Sequence, residues 1–264
     1  MNITHISTSN WQNALRGMRN PKDSWDKSES IFGLGVTNEF AGVVAREMPW
    51  LEFKDWCVRE DNGYCEIAAL CKNDIYLGQT LIKGGPVHSK FLRQIFISMD
   101  ITAPLYLWKE LDTYKVATTA NSCSTMHTIH TKEIDMGMFE IDDYSYDICG
   151  DMVEYTLIPV LENLRLNYLE YKNKSFNEED PEKASALMKT ANTYWKELIR
   201  WLPEGWLQTR TWTANYETAR NILAWRDPHK LTEWEPICNA LKSLPYADYF
   251  LTMEKKITKQ KYSV

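Results

Sequence analysis

Residues 202–235 read LPEGWLQTRTWTANYETARNILAWRDPHKLTEWE. Within this stretch Asn215, Ala219, Ile222 and Arg226 are spaced at i, i+4, i+7 and i+11, which places them on one face of a predicted helix. The apolar residues in the middle of that face predict that it turns toward the interior, so the amide and the guanidinium at its ends are drawn inward. A buried arginine needs an anion, and its planar guanidinium suits phosphate or carboxylate. The pattern therefore indicates a nucleotide-like ligand.

A purely structural role for Arg226 is also compatible with this spacing. The side chain could stabilise the C-terminus of its own helix, or it could pair with a nearby acid such as Glu233 or Glu235. The periodicity of the sequence does not decide between a ligand contact and an internal contact.

The composition narrows the class of protein. The 264 residues suffice for one large domain or two small ones, and 30 basic against 36 acidic residues give a net charge of −6. This balance argues against a nucleic-acid polymer as the main partner but allows a single nucleotide in a local basic pocket. The sequence contains no apolar run of transmembrane length and no cleavable signal at its start, so we expect a cytoplasmic protein without a membrane partner.

The cysteines and histidines show no spacing typical of a metal site. The six cysteines form no Cys-x-x-Cys pair, and we expect them to be reduced and mostly buried. His127 and His130 lie three residues apart, but they have no carboxylate or cysteine at a useful spacing, so we predict no metal. The 11 tryptophans and 14 tyrosines fit a subunit interface, a pocket for a flat ligand or an aromatic core.

Helical patterns dominate the chain, and the clearest strand is at Arg93–Ile101, where apolar and polar residues alternate and Phe96 is the one apolar residue on the second face. Residues 65–70 fit a strand or a helix. Helices are predicted over 11–19, 38–46, 104–112, 152–171 with an irregularity at Pro159, 181–200 with Asp180 as N-cap, from 215 onward, and 233–241, before a basic tail at 257–264. Few strands scattered among helices favour an α+β fold over a parallel doubly wound sheet.

Two stretches together resemble a known family. Residues 103–126 read APLYLWKELDTYKVATTANSCSTM, and the second stretch carries Trp-Thr-x-Asn at 212–215, a second Asn at 221, Arg226 and Trp234-Glu235. These motifs resemble those of the flavin-dependent thymidylate synthases, also called thymidylate synthase complementing proteins. The resemblance spans 83–241. It implies a small antiparallel sheet flanked by long helices, in a single domain over 1–264 with an insert at about 128–180.

The motif of the family's active site is altered in this chain. The family's Arg-His-Arg falls on Thr113, Tyr114 and Lys115, which leaves one cation of the three residues. The family's serine falls on Cys123, and the arginine two residues later falls on Thr125. The loss of cations weakens the case for FAD, because a flavin pyrophosphate needs positive groups or backbone donors.

The resemblance implies a reaction and a set of ligands. Members of the family are homotetramers with active sites between subunits. They bind FAD, dUMP, methylene-tetrahydrofolate and NADPH, and they carry out the reductive methylation of dUMP. By resemblance, the catalytic residues are Cys123 and Arg226. The implied substrate-binding residues are Glu110, Cys123, Ser124, Arg200 and Arg226, and the implied cofactor-binding residues are His88, Tyr114, Lys115, Asn215 and Asn221.

Three of these positions have alternative interpretations. Cys123 lies in a run of small polar residues and could add to a pyrimidine ring carbon as a thiolate, or it could be a buried, inert thiol. Glu110 could accept an N–H from a base edge where the family uses an amide, which predicts a preferred nucleotide other than dUMP, or it could lie on a solvated helix face. His88 follows Gly84-Gly85-Pro86 and could contact flavin or simply face solvent on the turn.

Three functions remain open at this point. The leading hypothesis is an enzyme that alkylates a pyrimidine nucleotide, as its resemblance to the family implies. The second is a non-catalytic protein of the same fold that binds a nucleotide or serves as an oligomeric interaction protein, which the losses at Thr113 and Thr125 favour. The third is a flavoprotein that acts on an unrelated substrate.

Overall fold

The computed structural model describes residues 1–35, 51–53 and 65–258. The chain divides into two compact units. The first unit comprises Met1, Thr102–Asp112 and Ser122–Arg210, and the second comprises Asn2–Ile101, Thr113–Asn121 and Thr211–Val264. The helix predicted over 38–46 lies outside the described residues, as does most of the basic tail.

Within the residues that the structure describes, seven strands form two small sheets. The strands are β1 (Asn2–Ser9), β2 (Ile31–Gly35), β3 (Leu51–Phe53), β4 (Cys65–Cys71), β5 (Phe96–Pro104), β6 (Thr119–Ser122) and β7 (Leu207–Asn215). One sheet has the strand order β1-β5-β7-β6. The other has the order β2-β4-β3 and is antiparallel, with Gly33 opposite Ile67 and Glu52 opposite Leu70.

Helices make up most of the remaining structure. They are α1 (Trp11–Arg19), α2 (Lys72–Lys83), α3 (Leu105–Leu111), α4 (Thr125–Thr128), α5 (Ile158–Phe176), α6 (Pro181–Arg200), α7 (Tyr216–Arg226), α8 (Trp234–Lys242) and α9 (Ala247–Phe250). Together with the small sheets they confirm the predicted α+β class. Within the described residues, no helix is long and apolar enough to cross a membrane.

Local sequence signals set several helix bounds. The predicted bounds of α1 and α6 are confirmed residue for residue. The Asp180 carboxylate accepts hydrogen bonds from the backbone N–H groups of Glu182 and Lys183, which would otherwise have no acceptor in the first turn of α6. Asn215 caps α7 in the same way, because its side-chain oxygen accepts from the N–H of Thr218 at 2.9 Å.

The predicted burial pattern of β5 is confirmed, but its start is later than predicted. The alternating apolar residues at 95, 97, 99 and 101 are buried and Phe96 is exposed. The strand begins at Phe96 rather than Arg93 because Lys90–Gln94 forms a 3₁₀ turn.

The predicted irregularity near Pro159 is confirmed and extends further back than expected. Two π-helical turns, Tyr146–Gly150 and Val153–Leu157, precede the regular helix α5, which has Pro159 in its first turn. Proline has no N–H to donate to the carbonyl four residues earlier, so it is tolerated at the start of a helix but not in its interior. The long helix therefore begins at Ile158 rather than Met152.

Each unit has its own core. In the second unit, Trp11 makes edge-on contacts with the rings of Tyr216 and Tyr246, at centroid distances of 5.1 and 5.6 Å. The hydroxyl of Tyr246 also bonds to the backbone of β4, at Ala68 and Leu70. In the first unit, the core is made of Ile129, Ile134, Phe139, Val153, Leu161, Leu198 and Trp206.

Candidate functional site

Arg226 is the last residue of α7 and is partly buried among aromatic side chains of the second unit. Its guanidinium carbon lies 4.8 Å from the centre of the Trp234 ring and 6.0 Å from that of Tyr114. Its Nε donates a hydrogen bond to the Tyr114 hydroxyl at 3.1 Å. Stacking on aromatic faces holds a guanidinium in place without neutralising its charge. The inward-turned face predicted for α7 is confirmed, since Ala219 and Ile222 are buried on it.

His229 provides a second hydrogen-bond partner for Arg226. Nη1 of Arg226 lies 3.0 Å from Nε2 of His229, and because a guanidinium only donates, the imidazole nitrogen is the acceptor. The backbone nitrogen of Leu231 lies 3.1 Å from Nδ1 of the same ring. The Tyr114 hydroxyl, the His229 ring and the Trp234 ring together fix the orientation of the guanidinium.

Asn215 is fully buried at the start of α7 and organises the segment that follows α3. Its oxygen caps α7, and its Nδ2 donates to the carbonyl of Val116 at 3.4 Å. The hydroxyl of Thr218 donates to the same carbonyl at 3.1 Å. These bonds fix the backbone beside Tyr114, the residue that contacts Arg226.

Cys123 lies in the first unit, immediately after β6, and its thiol is free and exposed. Its backbone N–H donates to the carbonyl of Thr209 at 2.9 Å, and its carbonyl accepts from Nε2 of Gln208 at 3.3 Å. The backbone is thus held on both sides while the side chain remains accessible. The alternative interpretation of Cys123 as a buried thiol is therefore wrong.

Ser124, partly buried, precedes the short helix α4. Its carbonyl accepts from the backbone N–H of His127 and from both the N–H and the hydroxyl of Thr128. The Cys123 sulfur lies 4.0 Å from that same Thr128 hydroxyl. The loop that carries Cys123 and Ser124 is therefore a hydrogen-bonded structure built by this unit alone.

The sequence matches no protein-family model and no curated protein. The solved structures that are similar to nearly the whole chain include two of the flavin-dependent thymidylate synthase ThyX from Helicobacter pylori with FAD and dUMP. The first has a TM-score of 0.54 and is 16% identical in sequence. The matched region covers 96% of this chain and 99% of the ThyX chain. The second, at 2.31 Å resolution, has a TM-score of 0.56 and is also 16% identical. The matched region covers 95% of this chain and 97% of the ThyX chain.

The chain has a ThyX-like fold. At this identity the similarity extends to the fold alone, and the roles of individual residues have to be argued from their surroundings. The predicted small sheet flanked by long helices is confirmed by the same comparison. The single domain with an insert at about 128–180 stays a prediction, and those residues include α5 and both π-helical turns.

The remaining predicted residues lie mostly on the surface. Lys115, Asn221 and His88 are exposed in the second unit, and the ring of His88 lies against Gly84, where an added Cβ would be 3.1 Å from it. In the first unit Arg200 is exposed at the end of α6 and Glu110 is partly buried on α3. A groove of about 630 Å³ along α5 and α6 is lined by none of the predicted site residues.

These positions meet the requirements of FAD in part. Lys115, Asn221 and His88 expose a cation, an amide and an imidazole in one unit, and such groups can hold a pyrophosphate or a flavin edge. The amide of Asn215 differs, because both of its polar groups are already bonded within the chain. Because the side chain is also fully buried, a direct contact of Asn215 with flavin would require the amide to become accessible.

The sequence analysis missed His229 and the aromatic partners of Arg226. Trp234 was noted only as part of a motif, and Tyr114 as a replacement for a family histidine that the resemblance assigns to the cofactor. The available signal was the spacing itself, since Arg226 and His229 are three residues apart and flank Asp227-Pro228. For metals, the described residues contain no group of three or more potential ligands that could hold an ion.

Proposed function

We propose that this protein is a divergent flavin-dependent thymidylate synthase that binds the phosphate of a pyrimidine nucleotide through Arg226. The observation that carries this proposal is the fixed orientation of the Arg226 guanidinium over the Trp234 ring, with Nε bonded to Tyr114 and Nη1 to His229. The ThyX-like fold supports a nucleotide as the source of the anion, since the similar structures contain dUMP.

The remaining roles follow from the family resemblance. Glu110, Ser124 and Arg200 contact the substrate, and Cys123 works on the pyrimidine base or packs against it. The exposed thiol supports a chemical role for Cys123, because an accessible thiol can ionise and attack a ring carbon.

FAD is the proposed cofactor, and methylene-tetrahydrofolate and NADPH are the co-substrates. When bound, reduced flavin supplies the hydride and mediates the transfer of the one-carbon unit. His88, Lys115 and Asn221 hold the cofactor from the second unit, while Asn215 and Tyr114 position the backbone and the guanidinium beside it. The active oligomer is a homotetramer, which sedimentation or light scattering will test.

A non-catalytic nucleotide-binding protein is the second candidate. Tyr114 stands where the family has a histidine, and its hydroxyl is engaged by Arg226 within the chain. Thr113 and Thr125 carry no charge where the family has arginines. These replacements leave the anion site intact but remove cations from the predicted flavin site, so binding without turnover would follow.

The test is to record the absorbance of the purified protein, titrate it with FAD and dUMP, and assay thymidylate formation with methylene-tetrahydrofolate and NADPH. An enzyme gives a flavin band and a product that depends on all four ligands. Cys123→Ala then lowers the rate at least tenfold, whereas Cys149→Ala, at another exposed cysteine, leaves it unchanged. A colourless protein that binds dUMP but ignores FAD identifies the non-catalytic candidate.

A panel of pyrimidine nucleotides tests the role of Glu110. A carboxylate only accepts hydrogen bonds, whereas the family's amide also donates, so the two groups favour different base edges. We expect a nucleotide other than dUMP to bind most tightly and Glu110→Gln to shift the preference toward dUMP. Tightest binding of dUMP by the unmodified protein would contradict this assignment.

A further inference from the structure

The segment from Glu133 to Leu164 in the first unit is strongly acidic. Its 32 residues include nine aspartates and glutamates and no lysine, arginine or histidine. The whole chain carries 30 basic residues among its 264, so a segment of this length without one marks a local negative surface rather than the average composition.

The same segment exposes a row of large apolar side chains. Ile148, Met152 and Tyr155 lie within or between the two π-helical turns, and their side chains are 73%, 52% and 70% exposed. Tyr146 extends the row, since its ring lies over Gly150, where an added Cβ would be 2.9 Å away. Exposed apolar side chains grouped in this way are typical of a protein contact surface.

Carboxylates flank this row on the same turns. Asp147 and Asp151 are exposed, and Glu154 is partly buried within reach of the Tyr146 hydroxyl, at 3.5 Å. Across the ranges that the structure describes, no ion pair joins these three carboxylates to a cation. The pKa of Tyr155 is raised, first by the negative charge of Glu154, which shows the sign of the local field. We call these three acids together with Tyr146, Ile148, Met152 and Tyr155 the acidic-apolar face.

The charge of this face selects among the surfaces that could cover it. A symmetric contact centred on this face would set its carboxylates against those of a second copy, which is unfavourable. Anionic lipid headgroups and nucleic-acid phosphates are repelled in the same way. A protein surface that presents apolar side chains framed by lysine or arginine matches both the apolar row and its charge.

We propose that the acidic-apolar face is a docking site for a basic, apolar segment of another protein. Ile148, Met152 and Tyr155 bury the partner's apolar side chains, and Asp147, Asp151 and Glu154 pair with its cations. This site is independent of the nucleotide chemistry proposed above, because it uses none of the residues assigned to that function.

The test uses a labelled helical peptide of about eighteen residues with leucines on one face and lysines on the other, and a matched peptide with glutamate in place of lysine. We expect fluorescence anisotropy to show binding of the lysine peptide alone. We also expect the affinity to fall at least tenfold in Ile148→Ser/Tyr155→Ser and in Asp147→Asn/Asp151→Asn. Two control variants remove exposed apolar side chains (Leu166→Ser/Phe176→Ser) or exposed carboxylates (Glu179→Gln/Glu182→Gln) elsewhere in the first unit. We expect both controls to bind the lysine peptide as tightly as the unmodified protein does.

Three results would overturn the proposal. The first is the absence of lysine-peptide binding, and the second is an equal loss of affinity in the matched controls, which would reveal attraction to the net charge alone. The third is concentration-dependent self-association that Ile148→Ser/Tyr155→Ser abolishes, which would identify a second copy as the occupant. Circular dichroism and thermal unfolding of each variant establish that the substituted proteins are folded.

Discussion

The Nε of Arg226 donates a hydrogen bond to the hydroxyl of Tyr114 at 3.1 Å, across 112 residues of sequence. This bond fixes one edge of the guanidinium, and the Trp234 ring supports its plane. By the family resemblance Tyr114 stands where the motif has a histidine, and in this structure Tyr114 positions the arginine that we propose for the nucleotide phosphate.

Removal of the Tyr114 hydroxyl is expected to cost little stability. Tyr114→Phe keeps the ring against Trp234 and loses one hydrogen bond to a charged donor, so the free energy of unfolding should fall by about 1 kcal/mol. Urea denaturation measures this change. Tyr76→Phe is the matched control, since the Tyr76 hydroxyl has no hydrogen bond within the part of the chain that the structure describes, and it should change the free energy by less. Equal effects of the two substitutions would contradict the contact.

The buried ion pair between Arg19 and Asp74 is expected to dominate the stability of the second unit. Arg19 Nε lies 2.5 Å from Asp74 Oδ1, the pair is almost completely buried, and the other carboxylate oxygen accepts from Ser28 and Ser30. Asp74→Ala leaves a buried guanidinium without its counter-charge and should lower the free energy of unfolding by about 3–5 kcal/mol.

Removal of both charges provides the control for this pair. In Arg19→Met/Asp74→Leu neither charge is left alone in the interior, so the double variant should be more stable than Asp74→Ala. Denaturation of the three proteins in urea compares them. A double variant as unstable as Asp74→Ala, or more so, would contradict the pairing of the two charges.

Acid is expected to destabilise the first unit through His130. Burial, followed by the positive charges of Lys172, Arg165 and His127, lowers the pKa of His130 below its usual 6.5. Below about pH 6.5 the unfolded chain therefore binds a proton that the folded chain does not, and the free energy of unfolding falls as the pH is lowered. His130→Phe keeps a ring against Tyr168 but cannot titrate, so its stability should depend less on pH between about 7 and 5. Parallel pH profiles for the two proteins would contradict this assignment.

Thiol labelling should separate the cysteines by burial. Cys123 and Cys149 are exposed, whereas Cys71 and Cys238 are buried and both have a raised pKa, about 11 for Cys238, chiefly because burial disfavours the thiolate. At about pH 8, iodoacetamide should modify Cys123 and Cys149 in the folded protein, and Cys71 and Cys238 only after denaturation. Mass spectrometry of the labelled peptides identifies the sites. Labelling of Cys238 at the rate of Cys123 in the native protein would contradict the burial of Cys238 on α8.

Local patterns in the sequence predicted the elements that are set by local forces. The bounds of α1 and α6 follow from caps and prolines, and the buried residues of β5 follow from strict alternation. Strands β1 and β7 and helix α2 were not predicted. Within β7, Trp212 and Ala214 are buried in alternation with more exposed threonines, a pattern that the helical interpretation of the following residues obscured.

Individual residues of the candidate site were predicted from the sequence, but the contacts between them were not. The inward-turned face of α7 could be derived from periodicity, which brought Asn215 and Arg226 to attention. The residues that contact Asn215 and Arg226 could not be derived in this way. Val116, Tyr114 and Trp234 come close to them only when the chain folds back on itself. The surroundings of Cys123 likewise include a backbone bond to the distant Thr209, which no local pattern predicts.

The most direct test of the central claim is to compare the binding of dUMP and of deoxyuridine by calorimetry. If Arg226 binds the phosphate, Arg226→Met lowers the affinity for dUMP by at least tenfold and leaves that for deoxyuridine unchanged, while Arg16→Met, at an exposed arginine of α1, changes neither. Equal dUMP affinity in the unmodified and Arg226→Met proteins would contradict the account.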